Sequence, residues 1–146
     1  MSKSFWPEKG LRRTGPRMVI LSVLEQVATH VSVPGLVRLT MSVQPTISPS
    51  TVYRNVAAMT DAGVLHSVDY AGETLYGLSM TAHHHLICER CGLLWELPAE
   101  EFDPVVAHLT ARRGFDLSLA GQVLHGRCRR CAIRPLPPVR PGAGAG

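Results

Sequence analysis

Four cysteines, spaced as two C-x-x-C pairs, constrain this 146-residue chain more than any other feature. Each pair can form a tight turn that offers two thiolates to one ion, and two such turns complete the tetrahedron that zinc prefers. A closed shell of four thiolates leaves no position for a substrate, so we predict a structural zinc site. A redox-active dithiol switch is the alternative. The predicted ligands are Cys88, Cys91, Cys128 and Cys131.

Three consecutive histidines precede the first cysteine pair and predict a second metal site. Residues two apart in a strand share a face, so His83 and His85 can bind one ion while His84 points the other way. Glu96 lies on the strand expected after the cysteine pair and is the candidate carboxylate ligand. The alternative reading is a polar surface strand that binds no ion.

The first 79 residues predict three helices followed by a β-hairpin, which is the outline of a winged helix. The first helix is expected from Lys9 to about His30, and the second after Ser32, with Pro34 near its first turn. The predicted third helix has Ser48 as its N-cap and ends at Gly63. The hairpin strands are expected at Val64–Val68 and Thr74–Leu78.

The predicted third helix has the features of a DNA-reading helix. Its apolar positions form one inward stripe, which leaves Thr51, Tyr53, Arg54 and Asn55 largely outside it. The net charge of the chain is +4, and residues 1–57 contain seven Lys or Arg against two acidic residues. A basic segment of this kind fits a polyanionic partner, and Arg and Tyr suit phosphate and base contacts. An amphipathic helix with an ordinary solvated face is the alternative.

The remainder of the chain predicts a second α+β unit. Strands are expected at residues 84–88 and 93–97, a helix at 100–113, and a further strand before the second cysteine pair. We therefore predict a DNA-binding domain at residues 1–79, a metal-binding domain at 80–132 and a disordered Pro- and Gly-rich tail at 133–146. The chain has no apolar run that could span a bilayer and no signal-peptide core, so a cytoplasmic location is expected.

Together these segments resemble the ferric uptake regulator (Fur) family of bacterial metal-responsive transcription regulators. The matching stretches are His30-Val31-Ser32, Ser48 to Val56, Ala62 to Leu65, His83 to Gly92, and Gly126 to Cys131. The resemblance implies a regulator and not an enzyme, with a winged-helix domain, a hinge and an α/β dimerisation domain. It also implies a homodimer on a palindromic DNA operator, a structural Zn²⁺ and a second, regulatory divalent ion.

The resemblance also assigns roles to single residues. It implies a regulatory metal site of His30, His83, His85 and Glu96, DNA contacts by Tyr53 and Arg54, and a phosphate contact by Arg17. The wing position that often bears an acidic or cysteine ligand in the family is Gly77 here. A further family site is depleted, because its four positions read Ala82, His84, Asp103 and Ala120. A weak second site of His84 and Asp103 would need His125 to substitute.

In the mechanism that the resemblance implies, an ion that binds His30 together with His83, His85 and Glu96 fixes the two domains for operator binding. The ligand types suit Fe²⁺, Zn²⁺, Ni²⁺ or Mn²⁺. The expected function is control, by repression, of metal-homeostasis or oxidative-stress genes, with a zinc-uptake or peroxide-type sensor as subgroup alternatives. A zinc-ribbon interaction module and a zinc hydrolase are the competing classes.

Overall fold

The computed structural model describes residues 6, 10–116 and 121–133, and it divides into two units between Thr81 and Ala82. The predicted tail beyond Ile133 and the chain before residue 10, except Trp6, lie outside the described residues. None of the described helices is long and apolar enough to cross a membrane. The elements are α1 (Gly15–Val27), β1 (Val31–Ser32), α2 (Val33–Val43), α3 (Pro49–Asp61), β2 (Leu65–Tyr70), β3 (Glu73–Leu78), β4 (His83–Cys88), β5 (Leu94–Pro98), α4 (Ala99–Arg113), β6 (Val123–Gly126) and α5 (Arg129–Ala132).

Helix α1 is shorter than the sequence predicted. Thr14 is its N-cap with an extended backbone, and a proline occupies its first turn, so the prediction of a start at Lys9 was wrong. The helix ends where Ala28 takes a left-handed conformation with φ of 51°, and the Ala28 N–H bonds back to the Leu24 carbonyl. His30 therefore lies beyond the helix, immediately before β1.

Helices α2 and α3 begin where the sequence predicted, directly after Ser32 and after the predicted cap Ser48. The Ser32 side chain accepts a hydrogen bond from the Gly35 N–H, and the Ser48 side chain accepts one from the Thr51 N–H. Each cap satisfies one of the four N–H groups that a helix start leaves without a partner in the helix. The positions of both helices follow from a serine followed closely by a proline.

The first unit has an apolar core contributed by its three helices. Ile20 and Leu24 of α1, Leu36 of α2, and Val52 and Met59 of α3 are all fully or almost fully buried. Burial of such a side chain contributes about 1.5–3 kcal/mol each. Because the inward positions of α3 are used in this core, the orientation of its outer face is fixed by packing.

Strands β2 and β3 form the predicted hairpin, which is the wing. Its turn consists of Ala71 and Gly72, both with positive φ, as a two-residue hairpin turn requires. Strand β1, which the sequence did not predict, pairs with the other edge of β3, so the sheet order is β1-β3-β2. Three helices and this sheet make the first unit a winged helix.

The second unit contains a three-stranded sheet of order β5-β4-β6. Strand β4 pairs antiparallel with β5 and parallel with β6, and α4 follows β5 directly. The short helix α5, at the second cysteine pair, was not predicted. Among the described residues of this unit, the buried apolar side chains are only Ile87, Cys88 and Cys131. Its apolar core is therefore small, and we expect metal binding to contribute strongly to its stability.

Candidate metal centres and nucleic-acid interface

The four cysteines converge at one end of the second sheet. All are free thiols, and their Sγ atoms lie within 4.8 Å of one another. The Sγ atoms of Cys91 and Cys128 are 3.8 Å apart, far longer than a disulfide bond of about 2.0 Å. Four sulfurs at about 2.3 Å from a tetrahedral zinc ion are separated by about 3.8 Å. The quartet therefore fits a zinc ion.

The environment of the quartet stabilises thiolate at one position and thiol at another. The Cys128 N–H donates to Cys88 Sγ at 3.3 Å, and such backbone bonds lower the pKa of Cys88 to about 6. Burial raises the pKa of Cys131 to about 12. Near pH 7, Cys88 is thus ionised while Cys131 retains its proton, which metal binding must displace.

A histidine pair lies in the first unit. The Nε2 atoms of His30 and His66 are 2.7 Å apart, and the Nδ1 atom of His66 is 3.3 Å from the Ser79 hydroxyl. A histidine that binds metal through one nitrogen commonly donates from the other to an oxygen. The Ser79 hydroxyl is positioned to accept such a bond from His66 Nδ1. The arrangement of His30 and His66 therefore suits metal binding through their Nε2 atoms.

Gly77 provides the space that the His30 ring occupies. It pairs with His66 across the β2–β3 hairpin, and a Cβ atom built on it would lie 2.5 Å from His30 Nε2. Any side chain at this position would therefore displace the ring. The His30 imidazole fills the space beside Gly77, and a second imidazole, that of His66, lies on the opposing strand.

A second histidine pair lies in the second unit. His83 and His85 share one face of β4, with ring centroids 4.9 Å apart, and both are buried. Glu96 pairs with His85 on β5, and its Oε1 atom is 4.0 Å from His83 Nε2. Within this unit the structure thus brings together the three predicted donors His83, His85 and Glu96.

The three residues considered for a weak second site are not brought together. His84 is buried on the opposite face of β4, where its ring contacts Phe102 and its Nδ1 accepts a bond from the Gln122 N–H. His125 pairs with Ile87 and therefore lies on the other face of the sheet. With Asp103 exposed on α4, these residues form no cluster of converging donors in the described part of the chain. His84 is explained as a satisfied core histidine.

The outer face of α3 presents the predicted DNA-contacting side chains. Tyr53 and Arg54 are exposed, and the Tyr53 side chain is 51% accessible. The Thr51 hydroxyl lies 2.8 Å from the Ser48 hydroxyl and belongs to the helix cap. Arg17 and Asn55 are half-buried and are hydrogen-bonded to each other.

His66 is the candidate ligand that sequence reasoning missed. It is a single histidine in an alternating strand, where a solvated side chain is the ordinary interpretation. The available signal was its position one strand across from Gly77, which requires the hairpin register to be known. Because a shift of one residue would move His66 to the other face, the pattern alone did not identify it.

A winged helix with an exposed Tyr-Arg face, followed by a unit with a four-thiolate site, defines a class of metal-binding DNA regulators. The profile of the ferric uptake regulator family matches residues 8–124. A ferric uptake regulation protein from Yersinia pestis is 32% identical over 122 residues, which cover 82% of each chain. The chain belongs to the ferric uptake regulator family, whose members are transcription regulators and not enzymes.

Solved structures agree with this assignment. A ferric uptake regulator from Pseudomonas aeruginosa with manganese is 27% identical, with a TM-score of 0.66, and the match covers 82% of this chain and 91% of that one. A zinc uptake regulator in complex with zinc and DNA is 27% identical, with a TM-score of 0.58, over 84% and 85% of the two chains. The predicted α+β fold class is confirmed, and the zinc-hydrolase alternative is excluded.

Proposed function

We propose that this chain is a transcription repressor that binds palindromic operator DNA as a homodimer when a second divalent ion is bound. The observation that carries the proposal is that each unit has its own pair of buried or half-buried histidines, His30 with His66 and His83 with His85. Two imidazoles alone make a weak site, because divalent ions of this group take four or more ligands. An ion that recruits both pairs couples the DNA-binding unit to the second unit.

The proposed regulatory ligands are His30, His66, His83 and His85, with Glu96 as a further donor. The bound ion supplies a cross-link between side chains of the two units. Neighbouring residues position the proposed ligands: Gly77 leaves room for the His30 ring, and the Ser79 hydroxyl orients His66. The cysteine quartet is a separate, structural zinc site that stays loaded while the regulatory ion exchanges.

Donor chemistry favours zinc or nickel as the regulatory ion. Four imidazoles suit zinc and nickel, whereas manganese prefers carboxylate and water oxygens. Affinity for a nitrogen-rich site also rises from manganese and iron towards nickel and zinc. With His66 replacing an acidic ligand, we propose a zinc- or nickel-responsive regulator of metal homeostasis over an iron-dependent peroxide sensor.

The DNA-binding surface is the outer face of α3, with Tyr53 and Arg54 at its centre. Both side chains are exposed, and residues 1–57, which include α1, α2 and most of α3, contain seven Lys or Arg against two acidic residues. Arginine binds guanine edges in two-point contact or grips phosphate, and tyrosine contacts phosphate or the thymine methyl group. The similar zinc uptake regulator that was solved with DNA supports DNA binding by this chain.

An apolar row on the second sheet supports self-association. Trp95 of β5 and Leu124 of β6 both pair with Leu86 of β4, so the three side chains share a face. Trp95 is 52% exposed and Leu124 is 36% exposed. Contiguous apolar surface of this kind marks an interaction site, and we propose that a second copy of the chain covers it.

Selection of duplexes from a random library tests the proposed function. Protein that carries only its structural zinc is incubated with the library, with and without each added ion. We expect zinc or nickel to enrich a palindromic sequence and a chelator to release it. Enrichment that does not depend on added metal would contradict the proposed metal control, and the absence of any enriched duplex would contradict DNA binding.

A further inference from the structure

Two residues predicted to contact DNA are bound to each other in the first unit. The Arg17 Nε atom of α1 donates to Asn55 Oδ1 of α3 at 2.8 Å, across 38 positions of sequence. The Arg17 Nη1 atom also donates to the Arg12 carbonyl at 2.8 Å. Arg17 is therefore held at two points, from α3 and from the segment that precedes its own helix.

The amino group of the Asn55 amide is also hydrogen-bonded. Its Nδ2 atom donates to the Thr51 carbonyl, one turn earlier on α3, at 2.8 Å. An asparagine that reads adenine presents both its carbonyl and its amino group to the base edge. In Asn55 the carbonyl accepts from Arg17 and the amino group donates to the helix. These two bonds fix the orientation of the amide towards Arg17 and the α3 backbone, and a base edge would have to share both groups with them.

Arg17 in contrast retains donors for a partner. A guanidinium has five N–H groups in a fixed plane, and the two bonds to Asn55 and Arg12 use two of them. These bonds already fix the plane of the guanidinium in the free protein. DNA binding therefore costs little further side-chain entropy at Arg17. A charged, preorganised guanidinium suits a phosphate oxygen.

We propose that Asn55 is a positioning residue that holds Arg17 ready for a DNA phosphate and does not itself read a base. The inference rests on the proposed DNA-binding function. A phosphate contact is independent of the DNA sequence. Each such contact steepens the fall of log affinity with log salt concentration by about 0.9. Loss of Asn55 should therefore weaken binding to every duplex and make it less sensitive to salt.

A double-mutant cycle with Asn55→Ala and Arg17→Ala tests the assignment. Full-length, metal-loaded protein is titrated into two labelled duplexes: the one that the wild type selects, and a scrambled duplex of equal composition. Each single variant should lose on the order of tenfold in affinity for both duplexes. The double variant should bind no more weakly than Arg17→Ala, and the salt slope should fall by about one in all three.

Three outcomes would overturn the assignment. They are a loss confined to the selected duplex in Asn55→Ala, additive losses in the double variant, and an unchanged salt slope in Asn55→Ala. If Asn55→Ala unfolds, Arg17→Lys replaces it, because this variant leaves α3 intact, keeps the charge and removes the Nε donor. Arg17→Lys should reproduce the tenfold loss, and wild-type affinity would overturn the proposal. A wild type that binds neither duplex would instead refute the proposed function.

Discussion

At the scale of single residues, the pairing of His66 with Gly77 determines how the His30 and His66 side chains are arranged. The two residues face each other in the β2–β3 hairpin, so a donor on either strand projects into the same neighbourhood. Gly77 leaves the space that the His30 ring fills, and His66 contacts that ring through its Nε2 atom. As a proposed ligand, His66 would therefore supply a nitrogen donor on the strand opposite Gly77.

Replacement of His66 by alanine should weaken binding of the regulatory ion without removing the structural zinc. We expect regulatory-metal affinity to fall by at least about 10- to 100-fold, because loss of even an outer partner of a ligand costs that much. Competition with a chromogenic chelator measures the affinity. His108→Ala, which removes an exposed histidine from α4, is the matched control and should bind metal normally. Equal affinities of the two variants would exclude His66 as a ligand.

Gly77→Ala should damage the same site by a steric route. The added methyl would lie 2.5 Å from His30 Nε2, so the ring must move away from His66. We expect weaker regulatory-metal binding with the helical circular dichroism unchanged. Gly15→Ala, where a Cβ has no neighbour within 4 Å, provides the control. Regulatory-metal affinity that survives in Gly77→Ala would show that His30 is not a required donor.

At the scale of elements, the cysteine turns connect β4 and β6 to α5. The Cys128 N–H bonds to Cys88 Sγ, and the Arg90 guanidinium donates to the Cys131 carbonyl at 3.4 Å. Because so few apolar side chains are buried among the described residues of this unit, we expect a bound ion to stabilise these connections. Structural zinc contributes about 10–16 kcal/mol of apparent binding free energy in small metal-dependent domains.

Any Cys→Ser change in the quartet should remove one zinc per chain and destabilise the second unit. Helix α3 should keep its structure, because its core lies in the first unit. Zinc analysis combined with hydrogen exchange distinguishes the two units. Wild-type protection of β4 and β6 in a zinc-free Cys91→Ser protein would contradict a structural role for the ion.

Zinc retention should also depend on pH. The Cys131 thiol, whose pKa burial raises to about 12, must lose its proton to bind zinc, whereas Cys88, with a pKa near 6, is already ionised at pH 7. Protons therefore compete with zinc, so affinity should fall as pH falls, and most steeply once Cys88 also becomes protonated below about 6. Zinc release measured against pH checks this, and release that is constant from pH 8 to 5 would contradict it.

Helix α3 should carry sequence recognition through its exposed arginine. Arg54→Ala should lower affinity for the selected operator by about 1–3 kcal/mol if Arg54 binds a base edge, and relax preference at one base pair. Arg112→Ala, an exposed arginine of α4, should change neither quantity. Competition between wild-type and substituted operators measures both. An unaltered preference would instead identify Arg54 as a phosphate contact.

The features predicted from sequence are those with local patterns. The start of α2 after Ser32, the serine cap of α3, the hairpin and the cysteine quartet each depend on residues with a defined spacing and chemistry. The missed elements, β1 and α5, are two and four residues long, too short for a hydrophobic period. The His30–His66 and Arg17–Asn55 pairs join residues more than 30 positions apart, and only the packed fold brings them together.

At the scale of the whole molecule, the two proposed ions have different roles. The thiolate quartet is contained within the second unit, whereas the proposed regulatory donors are divided between the two units. A regulatory ion that binds both units should favour one arrangement and so raise DNA affinity. Binding free energies are reciprocal, so DNA should raise the affinity for the ion by the same factor.

The effect of the regulatory ion on operator affinity decides whether metal controls DNA binding in this protein. Operator affinity is measured by fluorescence anisotropy with and without the ion, for wild type and His85→Ala, each with one structural zinc per chain. We expect the ion to strengthen wild-type binding by about 5- to 150-fold and to have no effect on His85→Ala. An equal gain in operator affinity in both proteins, or no gain in the wild type, would contradict metal control of DNA binding through His85.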